Sequence, residues 1–238
     1  MEGAVCAVLG FQAELQRLPP HLKNLLERTI FLFYEIAIRV VGLLWRFWFH
    51  LEINGRENEP AQGGYILAGN HCSAIDPMII CQGIRKHHIH FMAKAELFDI
   101  PVLKHVIRWL NAFPVSRGTG DTTAIETAMQ VIRDGEVLGL FPEGTRSKDG
   151  NLLRFKSGLA LIAQQTGASV LPVTITYCDP NKRFRSRVVV NYGTLISCEE
   201  LGIHTTGTAA GDLSHARELK EATRNLRAAM EQLKAQNL

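Results

Sequence analysis

A histidine and an aspartate five residues apart could form a general base and the carboxylate that orients it. His71 and Asp76 follow the apolar segment 65–69, which predicts a buried strand that runs into a loop. A carboxylate can hold one imidazole nitrogen as the donor and leave the other nitrogen free to take a proton. Pro77 is typical of a first helical position, so Asp76 is also predicted to be a helix N-cap. Taken alone, the pair favours a helix cap without catalysis.

Charged side chains follow several other predicted strands. Lys94 and Arg117 each end a short predicted strand, and Glu143 and Arg146 follow the apolar strand predicted over 137–141. In a parallel α/β sheet, ligands gather at the loops beyond the carboxyl ends of the strands. Arginine offers a rigid fork that matches phosphate oxygens, and lysine offers a point charge. These positions predict a substrate that carries phosphate, with the histidine beside a hydroxyl group.

The elements that must position these residues alternate between strand and helix. The patterns predict strands at 51–53, 65–69, 89–93, 113–117, 137–141, 169–177 and 187–192, and helices at 77–85, 121–133, 157–166 and 213–236. This order predicts an α/β fold with a mostly parallel central sheet flanked by helices. With 238 residues, of which 46% are hydrophobic, the chain is long enough for one sizeable core.

The segment 22–49 is rich in aromatic residues and has a narrow polar stripe that includes Glu35, Arg39 and Arg46. The three charges argue against a transmembrane span. A wide apolar face with tryptophan and arginine favours a helix that lies at the membrane interface. The alternative is a helix packed on the core with its polar stripe facing water. We therefore divide the chain into an extension (1–21), a membrane-associating helical segment and an α/β domain (50–238).

Composition excludes several classes of function. The net charge of +3 is too small to indicate nucleic-acid binding. The five cysteines are scattered and form no CxxC pair, which favours reduced thiols in a cytosol-facing protein. His87, His88 and His90 have no nearby acidic partner in sequence, so we interpret them as surface histidines and predict no metal site. Phosphate-binding GxxxxGK[ST] and nucleophile GxSxG motifs are absent.

Four motifs together resemble the glycerolipid acyltransferase family. Asn70-His71 to Asp76 is similar to its NHxxxxD motif, and 141–147 matches its second hallmark, FPEGTRS, at every position. The segment 113–117 resembles an intermediate block that ends in arginine, and 170–173 resembles a fourth block centred on proline. The motifs occur in the family order.

The resemblance implies transfer of an acyl group from acyl-CoA or acyl-carrier protein to the free hydroxyl of 1-acylglycerol 3-phosphate, without a covalent acyl-enzyme or a further cofactor. By resemblance, His71 is the general base and Asp76 orients it. Backbone N–H groups near Gly144 are candidates to stabilise the oxyanion. The implied substrate-binding residues are Glu143, Gly144, Thr145, Arg146, Arg117 and Lys94, and the supporting motif residues are Asn70, Pro142, Ser147 and Pro172.

The hallmarks leave the acceptor open. Glycerol 3-phosphate, another lysophospholipid and a lyso-aminolipid are alternative acceptors for the same chemistry, and a membrane lipid-binding module without catalysis is a third possibility. The expected partners are the lipid bilayer, lysophosphatidate and the thioester donor. The expected location is the cytoplasmic face of a membrane, as a monotopic or peripheral protein. The sequence gives no indication of the oligomeric state.

Overall fold

The computed structural model describes residues 19–115, 122–204 and 213–236, which form an α/β fold around a seven-stranded sheet. The strands are β1 (His50–Asn54), β2 (Ile66–Gly69), β3 (Ile89–Lys94), β4 (Ala112–Val115), β5 (Val137–Leu140), β6 (Val170–Tyr177) and β7 (Arg187–Tyr192). Their order across the sheet is β1-β7-β6-β2-β5-β3-β4. Neighbouring strands are parallel except for β6 and β7. The predicted fold class is confirmed.

Helices cover both faces of the sheet. They are α1 (Pro20–Trp48), α2 (Asp76–Ile80), α3 (Leu103–Trp109), α4 (Thr122–Arg133), α5 (Gly158–Thr166) and α6 (Leu213–Ala235). Successive strand side chains point to opposite faces, so Ile66 packs in the core beneath α4, α5 and α6, whereas Leu67 packs beneath α1 and α2. This double covering explains why the central strands are continuous apolar runs.

One helix boundary differs clearly from the prediction. Helix α2 ends at Ile80 rather than at residue 85, and a turn follows. The hydroxyl of the distant Tyr192 donates to the Ile80 carbonyl at this end, which the local sequence could not reveal. Gly167 ends α5 in the left-handed conformation, φ 70°, as predicted.

Helix α1 turns its polar side toward the α/β domain. Glu35 and Arg39 form an ion pair at 3.2 Å, and Glu35 also contacts His88 at 3.3 Å. Arg39 and Arg46 line a cleft of about 400 Å³ between α1 and the segment after α2. The polar stripe therefore does not simply face water, as the core-packed alternative expected.

One apolar side of α1 packs on the core through Tyr34, Ile38 and Trp45, and a second apolar side is exposed. Large side chains that are 36–71% exposed recur along it, including Leu25, Leu32, Phe33, Leu43 and Phe47. Exposed apolar surface of this extent on one helix is typical of a contact with a membrane or a partner. Across the described ranges, none of the helices combines the length and hydrophobicity needed to cross a bilayer.

Candidate active site

The two hallmark segments meet because β2 and β5 are neighbouring parallel strands. His71 follows β2, and its backbone is held on both sides by the segment that follows β5. The His71 N–H donates to Oε1 of Glu143 at 3.3 Å, and the Ser147 N–H donates to the His71 carbonyl at 2.7 Å. The structure therefore brings the two motifs together through the backbone of the candidate base.

The Asp76 carboxylate orients the His71 ring. Its Oδ2 lies 2.8 Å from Nδ1 of His71 and accepts the backbone N–H groups of Cys72 and Ser73 at 2.6 and 2.7 Å. Asp76 is fully buried. A buried carboxylate needs several donors, and these three bonds fix both the loop and the ring.

The prediction that Asp76 is the helix N-cap is wrong. Asp76 is the first residue of α2, and Ile75 occupies the cap position without a side-chain hydrogen bond. The carboxylate turns back to the loop because the imidazole and two loop N–H groups surround it there. Its place in the first helical turn still suits a negative charge, since the helix dipole is positive at that end.

Tyr177 also bonds to Asp76, and the sequence analysis did not identify it. The hydroxyl of Tyr177, the last residue of β6, donates to Oδ1 of Asp76 at 2.6 Å. Burial and the adjacent Asp76 charge raise the pKa of Tyr177, so the phenol stays protonated and donates. The two residues are far apart in sequence, and only the position of Tyr177 at a strand end signals a site residue.

Asn70 joins the histidine loop to β6. Its side chain donates to the carbonyl of Ile175 at 3.0 Å and accepts the N–H of the same residue at 2.7 Å. Asn70 is fully buried, and this paired contact extends the register of β2 along β6 by one residue. Asn70 therefore anchors the strand end from which the histidine loop begins.

Phe141 packs against the face of the imidazole. The two ring centroids lie 4.3 Å apart, and Phe91 stacks on the other side of Phe141. The His71 side chain is 13% exposed. With Nδ1 held by Asp76, Nε2 is the nitrogen left to exchange a proton, and no protein group in the described ranges bonds to it.

Glu143 lies beneath the loop rather than on its surface. It is 2% exposed, and Oε2 is buried without a partner in the described part of the chain. Burial raises the pKa of Glu143, while the His71 N–H opposes that shift. This geometry gives Glu143 a positioning role toward His71, and its predicted role in substrate binding stays a prediction.

The turn after Glu143 carries the candidate anion-binding groups. Gly144 has φ 67°, and its N–H donates to the Phe141 carbonyl at 3.0 Å, so that N–H is not free for an oxyanion. Thr145 and Arg146 are exposed, and their backbone N–H groups make no hydrogen bond within the described residues. These two donors replace Gly144 as candidates.

The predicted cations are only partly assembled. Lys94 ends β3 at the same edge of the sheet, but it forms a surface ion pair with Glu96 at 2.9 Å and does not reach His71 in any described contact. Arg117 lies outside the described residues. Arg146 has no ion-pair partner among the residues that the structure describes, so its charge is available to a ligand.

The remaining motif residues support the frame. The Pro142 carbonyl accepts the Lys156 N–H at 2.8 Å, and the Ser147 hydroxyl donates to Asp149 at 2.8 Å. Pro172 lies opposite Ala68 in the β2–β6 register. These contacts fix the ends of the loops. None of the three residues bonds to Nε2 of His71.

A cavity of about 600 Å³ opens beside the histidine loop. Cys72 and Tyr177 lie at its inner side, and the segment 147–152 and the end of α6 form its other walls. Lys148, Lys182 and Lys234 line it as well. A cavity of this size with several cations suits a ligand that carries phosphate.

The three histidines interpreted as surface residues are half-buried, and each lies beside an acidic side chain from a distant segment. His87 contacts Glu59 at 3.4 Å, and His88 contacts Glu35 at 3.3 Å. His90 lies 3.8 Å from Glu136. The acidic partners come from distant segments, which sequence proximity could not show. No group of three potential metal ligands occurs in the ranges 19–115, 122–204 and 213–236.

Several known proteins are similar to this chain in sequence. A protein of Bacillus subtilis named 1-acyl-sn-glycerol-3-phosphate acyltransferase is 33% identical over 122 residues, which are 51% of this chain and 60% of that protein. A Borreliella burgdorferi protein of the same name is 32% identical over 168 residues, 70% of this chain and 65% of that protein. The chain thus spans under two thirds of the length of these relatives.

The fold has a solved counterpart. The crystal structure of the 1-acyl-sn-glycerophosphate (LPA) acyltransferase of Thermotoga maritima superposes with a TM-score of 0.66 at 24% identity, covering 97% of this chain and 90% of that one. A family model described as Acyltransferase matches residues 50–176, which include both hallmark segments and all of β6 except Tyr177. On this match, the chain belongs to the acyltransferase family.

Proposed function

We propose that the protein transfers a fatty acyl group from an acyl thioester to the free hydroxyl of 1-acylglycerol 3-phosphate, which gives phosphatidate. The observation that supports this most directly is the 2.8 Å contact between Nδ1 of His71 and Oδ2 of a buried, fully bonded Asp76. This arrangement leaves Nε2 as the proton acceptor. The names of the relatives agree with this choice of acceptor and reaction.

In the proposed reaction, Nε2 of His71 takes the proton of the lipid hydroxyl as its oxygen attacks the thioester carbonyl. Asp76 stabilises the imidazolium that forms. The tetrahedral intermediate then collapses, the carbon–sulfur bond breaks, and the imidazolium returns its proton to the leaving thiolate. Positioned general-base catalysis of this kind is typically worth about 10²–10⁴-fold in rate.

The reaction requires no acyl-enzyme. Cys72 adjoins the base and is the nearest potential nucleophile, but burial and the charge of Asp76 raise the pKa of its thiol to about 11. A thiol with that pKa is protonated at neutral pH and is a poor nucleophile. Direct attack by the lipid hydroxyl is the simpler route, and no cofactor besides the thioester donor enters it.

The turn and the adjacent cavity supply the binding groups. The free N–H groups of Thr145 and Arg146 are the proposed donors to the oxyanion, and the Arg146 guanidinium is the proposed contact of the acceptor phosphate. Lys94 and Arg117 are proposed to add positive charge at the same edge. An unpaired Arg146 favours phosphate-bearing acceptors, which include glycerol 3-phosphate, over a lyso-aminolipid.

The test uses purified protein with lysophosphatidate and either acyl-CoA or acyl-carrier protein as the donor. We expect phosphatidate from the wild type, and a decrease of about 10²-fold or more in turnover for His71→Ala. His90→Ala, at the opposite edge of the sheet, is the matched control and should retain turnover. Full activity in His71→Ala would exclude the assigned base.

Competition between acceptors defines the substrate. Glycerol 3-phosphate and other lysophospholipids are added in turn, and Arg146→Gln should weaken use of the phosphate-bearing acceptors most. Binding of the wild type to vesicles with no consumption of either thioester donor would favour the non-catalytic lipid-binding alternative.

We further propose that the exposed apolar side of α1 seats the protein on the cytoplasmic face of a membrane. Lysophosphatidate resides in lipid, whereas the donors arrive from the aqueous phase, so a monotopic enzyme reaches both. Leu43→Glu/Phe47→Glu should reduce flotation with anionic vesicles, because both side chains are more than 60% exposed. Unchanged flotation of that variant would contradict the assignment.

A further inference from the structure

Three arginines gather away from the catalytic edge. Arg46 lies in the last turn of α1, Arg56 begins a short 3₁₀ turn after β1, and Arg85 precedes β3. Arg46 and Arg85 line the cleft between α1 and the segment after α2. Burial, and then the charges of Arg85 and Arg46, lower the pKa of Arg56, so the Arg56 guanidinium lies within electrostatic reach of the other two.

No carboxylate in the described ranges forms an ion pair with any of these three side chains. Two carboxylates of the surrounding segments are engaged elsewhere. Glu35 contacts Arg39 and His88, and Glu59 accepts the backbone N–H groups of Arg85 and Lys86. The Nε of Arg56 is buried and has no partner within the described structure. An unpaired, partly desolvated guanidinium group such as that of Arg56 is costly unless an anion joins it.

This cluster is separate from the active site. β6, β2, β5 and β3 all run in the same direction. β7 is antiparallel to β6, and β1 is parallel to β7, so β1 runs opposite to β3. β1 therefore ends at the edge of the sheet where β3 begins. Arg56 and Arg85 lie at that edge, whereas His71 follows β2 at the opposite edge. Arg56 and Arg85 therefore do not contact the acceptor phosphate in the proposed reaction.

The surroundings of the cluster indicate the kind of anion. Leu43 lines the same cleft and is 71% exposed, and Leu44 and Phe47, beside Arg46 in sequence, are 58% and 65% exposed. An arginine cluster bordered by exposed apolar side chains matches a molecule with a phosphate and an attached hydrocarbon part. A free phosphate ion would gain nothing from the apolar border.

We propose that Arg46, Arg56 and Arg85 bind the phosphate group of an anionic phospholipid, in a site distinct from the catalytic centre. The guanidinium forks contact the phosphate oxygens, and the acyl chains follow the exposed apolar side of α1. Occupation of this site pairs the otherwise unpaired cations and fixes α1 against the α/β domain at the membrane surface.

The experiment measures binding of soluble dihexanoyl phosphatidylglycerol to the full chain by calorimetry. This lipid is neither substrate nor product of the proposed reaction, so its binding is independent of catalysis. Arg56→Gln/Arg85→Gln should weaken binding by about tenfold or more, since each hydrogen bond to a charged group is worth about 1.5–3 kcal/mol. Inorganic phosphate, as a second ligand, should bind far more weakly than the lipid.

The matched control is Arg28→Gln/Lys104→Gln, which removes the same charge from α1 and α3 outside the cleft and should leave lipid binding near the wild-type value. Arg56→Lys/Arg85→Lys retains the charge without the forks and should give an intermediate affinity. If the double glutamine variant does not fold, as checked by circular dichroism, Arg46→Gln at an exposed position provides the same test. The site would be overturned if Arg56→Gln/Arg85→Gln bound the lipid with wild-type affinity, or if the control variant lost as much affinity. If the wild type bound inorganic phosphate as tightly as the lipid, the assignment of the site to a lipid would be overturned.

Discussion

The hydroxyl of Tyr177 donates to Oδ1 of Asp76 at 2.6 Å, on the side of the carboxylate away from the His71 contact. The carboxylate is thereby bonded through both oxygens, by the end of β6 on one side and the histidine loop on the other. Tyr177 is therefore a positioning residue for the candidate base.

Tyr177→Phe removes this bond and leaves one oxygen of a buried carboxylate unpaired. We expect a decrease in kcat of about tenfold and a loss of about 1.5–3 kcal/mol in the free energy of unfolding, the usual range for a hydrogen bond to a charged group. Acyl-transfer kinetics and urea unfolding measure the two effects. Tyr192→Phe, which removes a buried hydroxyl that bonds to Ile80, is the control and should lower stability with little change in kcat.

Asn70→Asp should destabilise the fold, because a carboxylate cannot donate to the Ile175 carbonyl and is buried without a cation. The expected loss is about 1–3 kcal/mol in the free energy of unfolding, together with lower activity. Denaturant unfolding at neutral pH measures it. Asn181→Asp, at an exposed position, should change stability by less than about 0.5 kcal/mol. Equal stability of the two variants would mean that the Asn70 contacts contribute nothing.

Gly144→Ala should lower both stability and activity. A residue with a Cβ costs about 1–2 kcal/mol in the left-handed conformation, and the added atom would lie 2.8 Å from Cε of Lys156. Gly135→Ala has a similar φ of 78° with no atom within 4 Å, so it isolates the backbone cost. Thermal unfolding and turnover of the two variants should show similar destabilisation but a loss of activity only at residue 144.

Glu143→Gln should raise stability at neutral pH while it lowers activity. Burial raises the folded-state pKa of Glu143. Between the unfolded and folded pKa values, the native protein therefore binds more protons than the unfolded chain. The wild type loses stability as pH rises through that window. Glutamine cannot ionise and avoids this loss. Urea unfolding at pH 4 and pH 7 checks it: the advantage of the variant should grow toward pH 7, and a constant difference would contradict the pKa direction.

Much of the fold followed from local pattern. Apolar runs predicted all seven strands near their observed positions, because strands buried on both faces have few polar residues. The end of α2 was missed since a tyrosine over a hundred residues away occupies the Ile80 carbonyl. The antiparallel β6–β7 pair agrees with its short connection, because residues 178–186 contain no helix and are too few for the crossover that a parallel pair needs.

The candidate site was predictable in its residues and less so in its contacts. The spacing of His71 and Asp76 indicated their contact, whereas the N-cap assignment failed because the carboxylate bonds backward to the loop. Tyr177 and the Asn70–Ile175 pairing depend on β6, which is adjacent to β2 only in the folded sheet. Such partners depend on the order of the strands in the sheet. Local sequence periodicity does not predict that order.

The two hallmark segments share the backbone of one residue, since the N–H of His71 bonds to Glu143 and its carbonyl accepts from Ser147. They therefore form a single interchangeable module. A chimera that receives only one of the segments from a distant relative would lose the match between these backbone contacts. A chimera that receives both segments, together with β2 and β5, would keep them. Amide hydrogen exchange should likewise show the two segments opening together rather than one at a time.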